Sequence, residues 1–287
     1  AALKAVKCLG IKYKINKNTC KIYGKGINGY KYKKNLIINA KNSGTLGRLI
    51  LGLLVHSRTL IKIKGDKSLS KRDFLRVTEP LKKFGAEINT KSGKLPIKIY
   101  GTGSPTPIRY FETKGSAQCK SSVMLAALNT KGSTVIKAKK SRDHTEIFFK
   151  YLNLPITTIK KKNYDVIKIK GGKKINSFNY KIPADISSSS FFIVLTALSK
   201  NSKLILKNVN INPSRTGILK ILKIMGVKIK INNVKIYKGE KVANLHIKSV
   251  KLLKPINCPT RLNSSAIDEF LLIFLLAAKA KGVSYFK

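Results

Sequence analysis

Along this chain, short polar stretches lead repeatedly into apolar runs, and four of these transitions are alike. The starts are Asn42-Ser43-Gly44-Thr45, Gly115-Ser116-Ala117-Gln118, Asp185-Ile186-Ser187-Ser188 and Ala266-Ile267-Asp268-Glu269. The runs that follow are Leu49 to Val55, Val123 to Leu128, Phe191 to Leu198 and Phe270 to Ala278. Small polar residues ahead of an apolar run predict a capped helix N-terminus. The starts recur at intervals of roughly 70 to 80 residues, the signature of an internal repeat. Out of phase with them, apolar helical patterns stop at a glycine in Leu9-Gly10, Phe84-Gly85 and Met225-Gly226, with Leu152 to Pro155 in the remaining slot. The predicted unit is therefore helix, strand, second helix, strand, repeated about four times.

A helix N-terminus presents unpaired N–H groups and the positive end of a dipole, which together suit an anion. Capping alone accounts for any single start. Four starts at one interval point further, to helix ends that share an anionic ligand.

Composition qualifies this picture. The 287 residues suffice for two domains with full cores, and 59 Lys and Arg against 12 Asp and Glu give a formal charge of +47. Only eight of the cations are arginine, and the lysines are spread along the chain among Asn and Ile. Nucleic-acid modules instead concentrate charge and interleave aromatics. The charge therefore reads as a drift in which exposed positions accept lysine. Against that drift the acids stand out, because Asp66, Asp73, Glu79, Asp143, Glu146, Asp185, Asp268 and Glu269 lie in or beside the repeat starts and the segments after them. Capping would explain Asp143, Asp185, Asp268 and Glu269, and it serves the others poorly.

Cys8, Cys20, Cys119 and Cys258 form no C-x-x-C pair and, with His56, His144 and His246, no metal-ligand spacing. This reads as a reducing, cytoplasmic setting with no metal. The run Phe270 to Ala278 is too short to cross a bilayer. The chain opens within a repeat and stops just after the fourth start, so both ends look cut.

Eight segments in order carry a family resemblance. They are Asn42 to Arg48 (NSGTLGR), Gly65 to Arg72 (GDKSLSKR), Arg76 to Leu81 (RVTEPL), Ser116 to Ser121 (SAQCKS), Ser141 to Glu146 (SRDHTE), Asp185 to Ser188 (DISS), Asn212 to Gly217 (NPSRTG) and Ile267 to Phe270 (IDEF). Together they resemble 3-phosphoshikimate 1-carboxyvinyltransferase, the EPSP synthase family, in its class II branch. The resemblance implies an α/β fold, a two-domain inside-out α/β barrel built from βαβαββ units. It places a first domain at residues 1–181, holding the end of one unit and two more, and an incomplete second domain at 182–287.

The implied reaction moves the enolpyruvyl group of phosphoenolpyruvate to the 5-hydroxyl of shikimate 3-phosphate, releasing phosphate. It belongs to chorismate and aromatic amino acid biosynthesis and uses no metal or organic cofactor. By the same resemblance, Gly44, Arg72 and Gln118 bind phosphoenolpyruvate. Ser116, Gln118, Ser141, Arg142 and Asp268 bind shikimate 3-phosphate, and Asp268 is the catalytic proton acceptor. The implied partners are these two small molecules, with no nucleic acid, no membrane and a monomeric state. Retention of glycine at position 44 implies inhibition by the phosphoenolpyruvate mimic glyphosate.

Leu46, Gly47 and Gly115 depart from the family's usual residues. The family's early Lys, Ser and Arg and its late Lys-Glu-Ser-Asp-Arg segment have no counterpart, so the isolated chain is expected to be inactive. The alternatives are UDP-N-acetylglucosamine enolpyruvyl transferase, for which no cysteine here has the right surroundings, a basic nucleic-acid-binding protein, and a non-catalytic relative.

Overall fold

A computed structural model describes every residue except Asn28. The described chain forms two compact units, Ala1–Lys140 with Leu152–Phe178, and Ser141–Tyr151 with Asn179–Lys287.

The first unit begins with α1 (Ala2–Cys8) and the hairpin β1 (Lys12–Asn16) and β2 (Thr19–Tyr23). Next come β3 (Leu36–Asn39), α2 (Gly44–Leu54), β4 (Ile61–Lys64), α3 (Lys67–Ser70), α4 (Leu75–Lys82), β5 (Glu87–Lys91) and β6 (Lys94–Tyr100). Their sheet has the order β3-β4-β6-β5, parallel at β3/β4 and antiparallel elsewhere. The pattern then repeats with β7 (Arg109–Glu112), α5 (Ala117–Leu128), β8 (Ser133–Lys139), α6 (His144–Tyr151), β9 (Ile156–Lys160) and β10 (Tyr164–Lys170), in the order β7-β8-β10-β9. Of these, α6 groups with the second unit. The repeating element is thus βαβαββ, with one strand before the first helix and a closing hairpin that the apolar runs alone did not announce.

Strand alternation fixes which face is buried. In β6, Leu95, Ile97 and Ile99 are buried while Lys94, Lys98 and Tyr100 are exposed, as expected of a sheet covered on one side. The α2 and α5 helices pack side by side through a glycine, since a Cβ on Gly52 would lie 2.1 Å from the Ser122 carbonyl oxygen. The Ser122 hydroxyl donates to the Arg48 carbonyl at 2.8 Å, and this contact helps bring the two helix starts together.

The second unit has α7 (Ile186–Leu198), β11 (Lys203–Asn210), α8 (Gly217–Ile224), β12 (Lys228–Tyr237) and β13 (Glu240–Lys248), whose three strands form the sheet β11-β13-β12. A parallel bridge between Ala184 and Val209 stands where the earlier repeats have their first strand. A 3-10 turn at Thr260–Leu262, α9 (Asn263–Ala266), a second 3-10 turn at Ile267–Glu269 and α10 (Phe270–Lys279) follow. Ile193, Val194, Ile218, Leu222, Leu245 and Ile273 belong to this unit's core. On α7 and α10, Phe191, Phe192 and Leu271 remain exposed.

The second-helix stops share one device. Gly10, Gly85 and Gly226 adopt φ of +78°, +101° and +93°, and Asn153 takes φ +53° in the fourth slot. Left-handed residues here close the helix and release the chain into the hairpin.

Candidate active site

Three of the four repeat starts are built alike. The Ser43 Oγ accepts from the Leu46 N–H at 3.1 Å, the Ser116 Oγ from Cys119 at 3.3 Å, and the Asp185 carboxylate from Ser188 at 3.0 Å. Each satisfies one orphan donor of its helix. The fourth start differs, because Ile267–Glu269 forms a 3-10 turn and neither it nor α10 has a side-chain cap. Capping therefore explains Asp185 and leaves Asp268 and Glu269 to other partners.

In the first unit, Gly44 is the first residue of α2 and is buried. A Cβ there would lie 2.9 Å from Arg48 Nη1, 3.3 Å from Arg72 Nη1 and 3.7 Å from Leu69 Cδ1. The missing side chain thus lets two guanidinium groups close over the helix start. Arg48 Nη1 donates to Gln118 Oε1 at 2.7 Å, and Gln118 Nε2 donates to Thr45 Oγ1 at 2.9 Å. Arg48 also lies over the Phe74 ring, 5.1 Å from its centroid. Burial holds its pKa below the usual arginine value, and the nearby charges of Arg72 and Arg76 act in the same direction.

The adjacent start is braced from below. Glu112, buried in β7, accepts from the Ser116 N–H at 2.9 Å and lies 3.5 Å from Arg76 Nη2. Capping occupies an acceptor site of the Ser116 hydroxyl, whose O–H can still donate. Clustered guanidinium groups, a helix N-terminus and an amide of fixed orientation have the chemistry to hold a small anion bearing carboxylate or phosphate.

In the second unit, Arg142 and Asp268 form an ion pair. Arg215 Nη1 lies 2.8 Å from Asp185 Oδ1, and its Nη2 donates to Ser187 Oγ at 2.6 Å. The Ser187 hydroxyl donates in turn to the buried carboxylate of Glu269. Burial pushes the Glu269 carboxyl above the ordinary glutamate value, and the neighbouring Asp268 charge adds to the rise. Burial also acts to raise Asp185, but the Ser188 N–H and the Arg215 charge outweigh it and hold that carboxyl below its ordinary value. The Ser141 Oγ is buried without a hydrogen-bond partner among the described residues. Close by in sequence, Asp143 accepts from Asn212 Nδ2 at 2.9 Å, and His144 Nδ1 lies 2.5 Å from Glu240 Oε1.

Among the candidates chosen from sequence, Gly44 and Arg72 adjoin, Gln118 stands beside them through Arg48, and Ser116 caps the neighbouring helix. Arg142 meets Asp268 directly, while Ser141 precedes them with its hydroxyl unused. Sequence reasoning did not single out Arg48, Arg215 or Glu269 as site residues. The signals were present, in scarce arginines lying within two of the motifs and in an acid kept at a helix start. Among the described residues, no group of three or more His, Cys, Asp or Glu could hold a metal ion, and no helix is long and apolar enough to cross a membrane.

Comparison with known proteins places this geometry in a wider set. The EPSP synthase (3-phosphoshikimate 1-carboxyvinyltransferase) family matches residues 1–287. The 3-phosphoshikimate 1-carboxyvinyltransferase of Vesicomyosocius okutanii is 43% identical over 284 residues, covering 98% of this chain and 64% of that protein. The protein of that name from Legionella pneumophila strain Corby is 40% identical over 284 residues, with the same coverage. The EPSP synthase structure from Acinetobacter baumannii superposes with a TM-score of 0.86 at 36% identity, covering 98% of this chain and 63% of that one. The enolpyruvyl transferase NikO from Streptomyces tendae shares the fold, with a TM-score of 0.71 at 14% identity over 97% of this chain and 64% of its own. The architecture is the enolpyruvyl transferase fold. The chain spans 64% of the length of these curated relatives.

Proposed function

The chain belongs to the EPSP synthase family, and we propose that the protein transfers the enolpyruvyl group of phosphoenolpyruvate to the 5-hydroxyl of shikimate 3-phosphate. The observation that carries this reading is the cluster at the start of α2, where Arg48 and Arg72 close over Gly44 and Gln118 is fixed between Arg48 and Thr45. Such a cluster fits the carboxylate and phosphate of phosphoenolpyruvate.

In the reaction, the 5-hydroxyl oxygen attacks C2 of phosphoenolpyruvate as C3 gains a proton. The tetrahedral intermediate then loses phosphate and a C3 proton. The arginines and the α2 N-terminus hold the anion and favour charge on the departing phosphate. Ser116, Gln118, Ser141 and Arg142 bind shikimate 3-phosphate, and Asp268 receives the hydroxyl proton. Asp268 is paired with Arg142, so the phosphate of the acceptor and the Asp268 carboxylate compete for the same guanidinium.

The division into a first domain at 1–181 and a second at 182–287 belongs to the same reading, supported by the change of compact unit at Phe178 and Asn179. A cytoplasmic monomer acting on two small molecules completes it. Phosphorus NMR of phosphoenolpyruvate and shikimate 3-phosphate mixed with the protein expressed from its natural reading frame tests the proposal. The phosphoenolpyruvate resonance should give way to inorganic phosphate only when shikimate 3-phosphate is present. Its persistence in the complete mixture would count against the reading.

A further inference from the structure

The segment that carries Ser141 and Arg142 is gripped along its length by one hairpin turn of the second unit. Glu240, buried at the start of β13, lies 2.5 Å from His144 Nδ1 through Oε1. Its Oε2 accepts from Asn210 Nδ2 at 3.2 Å and Asn212 Nδ2 at 3.3 Å. Asn212 Nδ2 also donates to Asp143 at 2.9 Å, so one carboxylate fixes both residues that follow Arg142, one directly and one through an amide. Burial acts to raise the Glu240 carboxyl, yet the His144 hydrogen bond and charge and the two asparagine amides hold it below the ordinary glutamate value. It is therefore an ionised acceptor, matched to an Nδ1–H donor.

The same turn grips the far end of the helix. Lys238 Nζ stands over the rings of Tyr151, Tyr180 and Tyr237 at 5.2, 5.6 and 5.6 Å from their centroids. A Cβ on Gly239 would lie 2.8 Å from Ile147 Cγ2, so the turn approaches the middle of α6 as well. Thus α6 is held at its first residue, its middle and its last, and Arg142 leaves this anchored base to reach Asp268.

We propose that His144, anchored by Glu240, is a positioning residue that sets Ser141 and Arg142 for the phosphorylated acceptor. This rests on the functional reading above. His144 touches neither substrate, and its effect on the acceptor passes through the backbone of the next two residues toward the N-terminus. Phosphoenolpyruvate recognition by the first unit's cluster does not depend on it.

The test replaces His144 with Phe, which keeps a ring but removes the donor, and with Asn, whose amide nitrogen stands where Nδ1 stood. His144→Phe should raise the Michaelis constant for shikimate 3-phosphate about ten-fold or more and leave that for phosphoenolpyruvate within about two-fold. His144→Asn should recover most of the loss. If His144→Phe fails to fold, Glu240→Gln provides the second variant, with a selective effect of the same direction. Equal rises for both substrates, or no recovery in His144→Asn at an unchanged thermal midpoint, would overturn the proposal. All variants are made in the natural reading frame: an unaltered protein of that frame that turns over neither substrate would defeat the functional reading itself and this inference with it, whereas normal turnover unaffected by either variant defeats the inference alone.

Discussion

Gly44→Ala isolates what the missing side chain does. The backbone at Gly44 is not left-handed, so alanine fits the helix, and its better helix propensity adds at most about 1 kcal/mol of stability. The new methyl would stand 2.9 Å from Arg48 Nη1 and 3.3 Å from Arg72 Nη1. Relief to ordinary contact requires the first guanidinium to retreat by about half an ångström, which a flexible side chain can do without unfolding anything. The consequence falls on the ligand. A hydrogen bond to a charged group contributes roughly 1.5 to 3 kcal/mol, and losing part of it at one or both arginines amounts to about 1 to 2 kcal/mol. That corresponds to a rise of about 5- to 30-fold in the Michaelis constant for phosphoenolpyruvate. Steady-state phosphate release measures it in the natural reading frame, with thermal unfolding measured in parallel. Glyphosate inhibition should weaken in the same variant. An unchanged constant for phosphoenolpyruvate with equal glyphosate inhibition would refute the steric reasoning, and a large drop in thermal midpoint would show that the glycine serves the fold instead.

Other consequences can be checked independently. Glu269 has a raised carboxyl pKa in the fold, so its contribution to stability is full below the unfolded-state value and is lost as pH rises through the folded one. Glu269→Gln keeps an acceptor for Ser187 and should gain stability over the parent as pH climbs from acid to neutral; a difference independent of pH in chemical denaturation would contradict this. Gly52→Ala drives a methyl to 2.1 Å from the Ser122 carbonyl oxygen, and overpacking of this kind should destabilise by about 1 to 3 kcal/mol. An unchanged midpoint in denaturant would mean that α2 and α5 are not in close contact. If the +47 charge is a drift in surface composition, binding to duplex or single-stranded DNA should be weak and indifferent to sequence at physiological salt. A tight, sequence-selective complex would overturn that view.

Much of this organisation was legible in the sequence because it repeats. Ser43, Ser116 and Asp185 announced helix starts and all three make the same bond to the N–H three residues on, since a local hydrogen bond depends only on neighbouring residues. Gly10, Gly85 and Gly226 announced helix ends for a similar reason, as a left-handed backbone selects glycine in place. The sheets were less visible because each closing hairpin joins its sheet through a longer-range pairing, β6 with β4 and β10 with β8, that no local pattern encodes.

The candidate site shows the same limit. Gly44 and Arg72 were readable as members of motifs, but the orientation of Gln118 is set by Arg48, 70 residues away, and no local pattern encodes that contact. Asp268 and Glu269 looked like caps by position, yet an ion pair to Arg142 and a hydrogen bond from Ser187 engage them instead. Likewise the grouping of Ser141–Tyr151 with the second unit depends on partners such as Asn212 and Glu240, which lie well downstream in the sequence.

The central claim is that this arginine-lined helix start and the Asp268 carboxylate serve enolpyruvyl transfer to shikimate 3-phosphate. Phosphate release from phosphoenolpyruvate, measured with the natural reading frame and with either shikimate 3-phosphate or UDP-N-acetylglucosamine as acceptor, tests it most directly. The account predicts release with shikimate 3-phosphate alone, abolished in Arg72→Ala and strongly reduced in Asp268→Asn. Release with UDP-N-acetylglucosamine, or with neither acceptor, would contradict it.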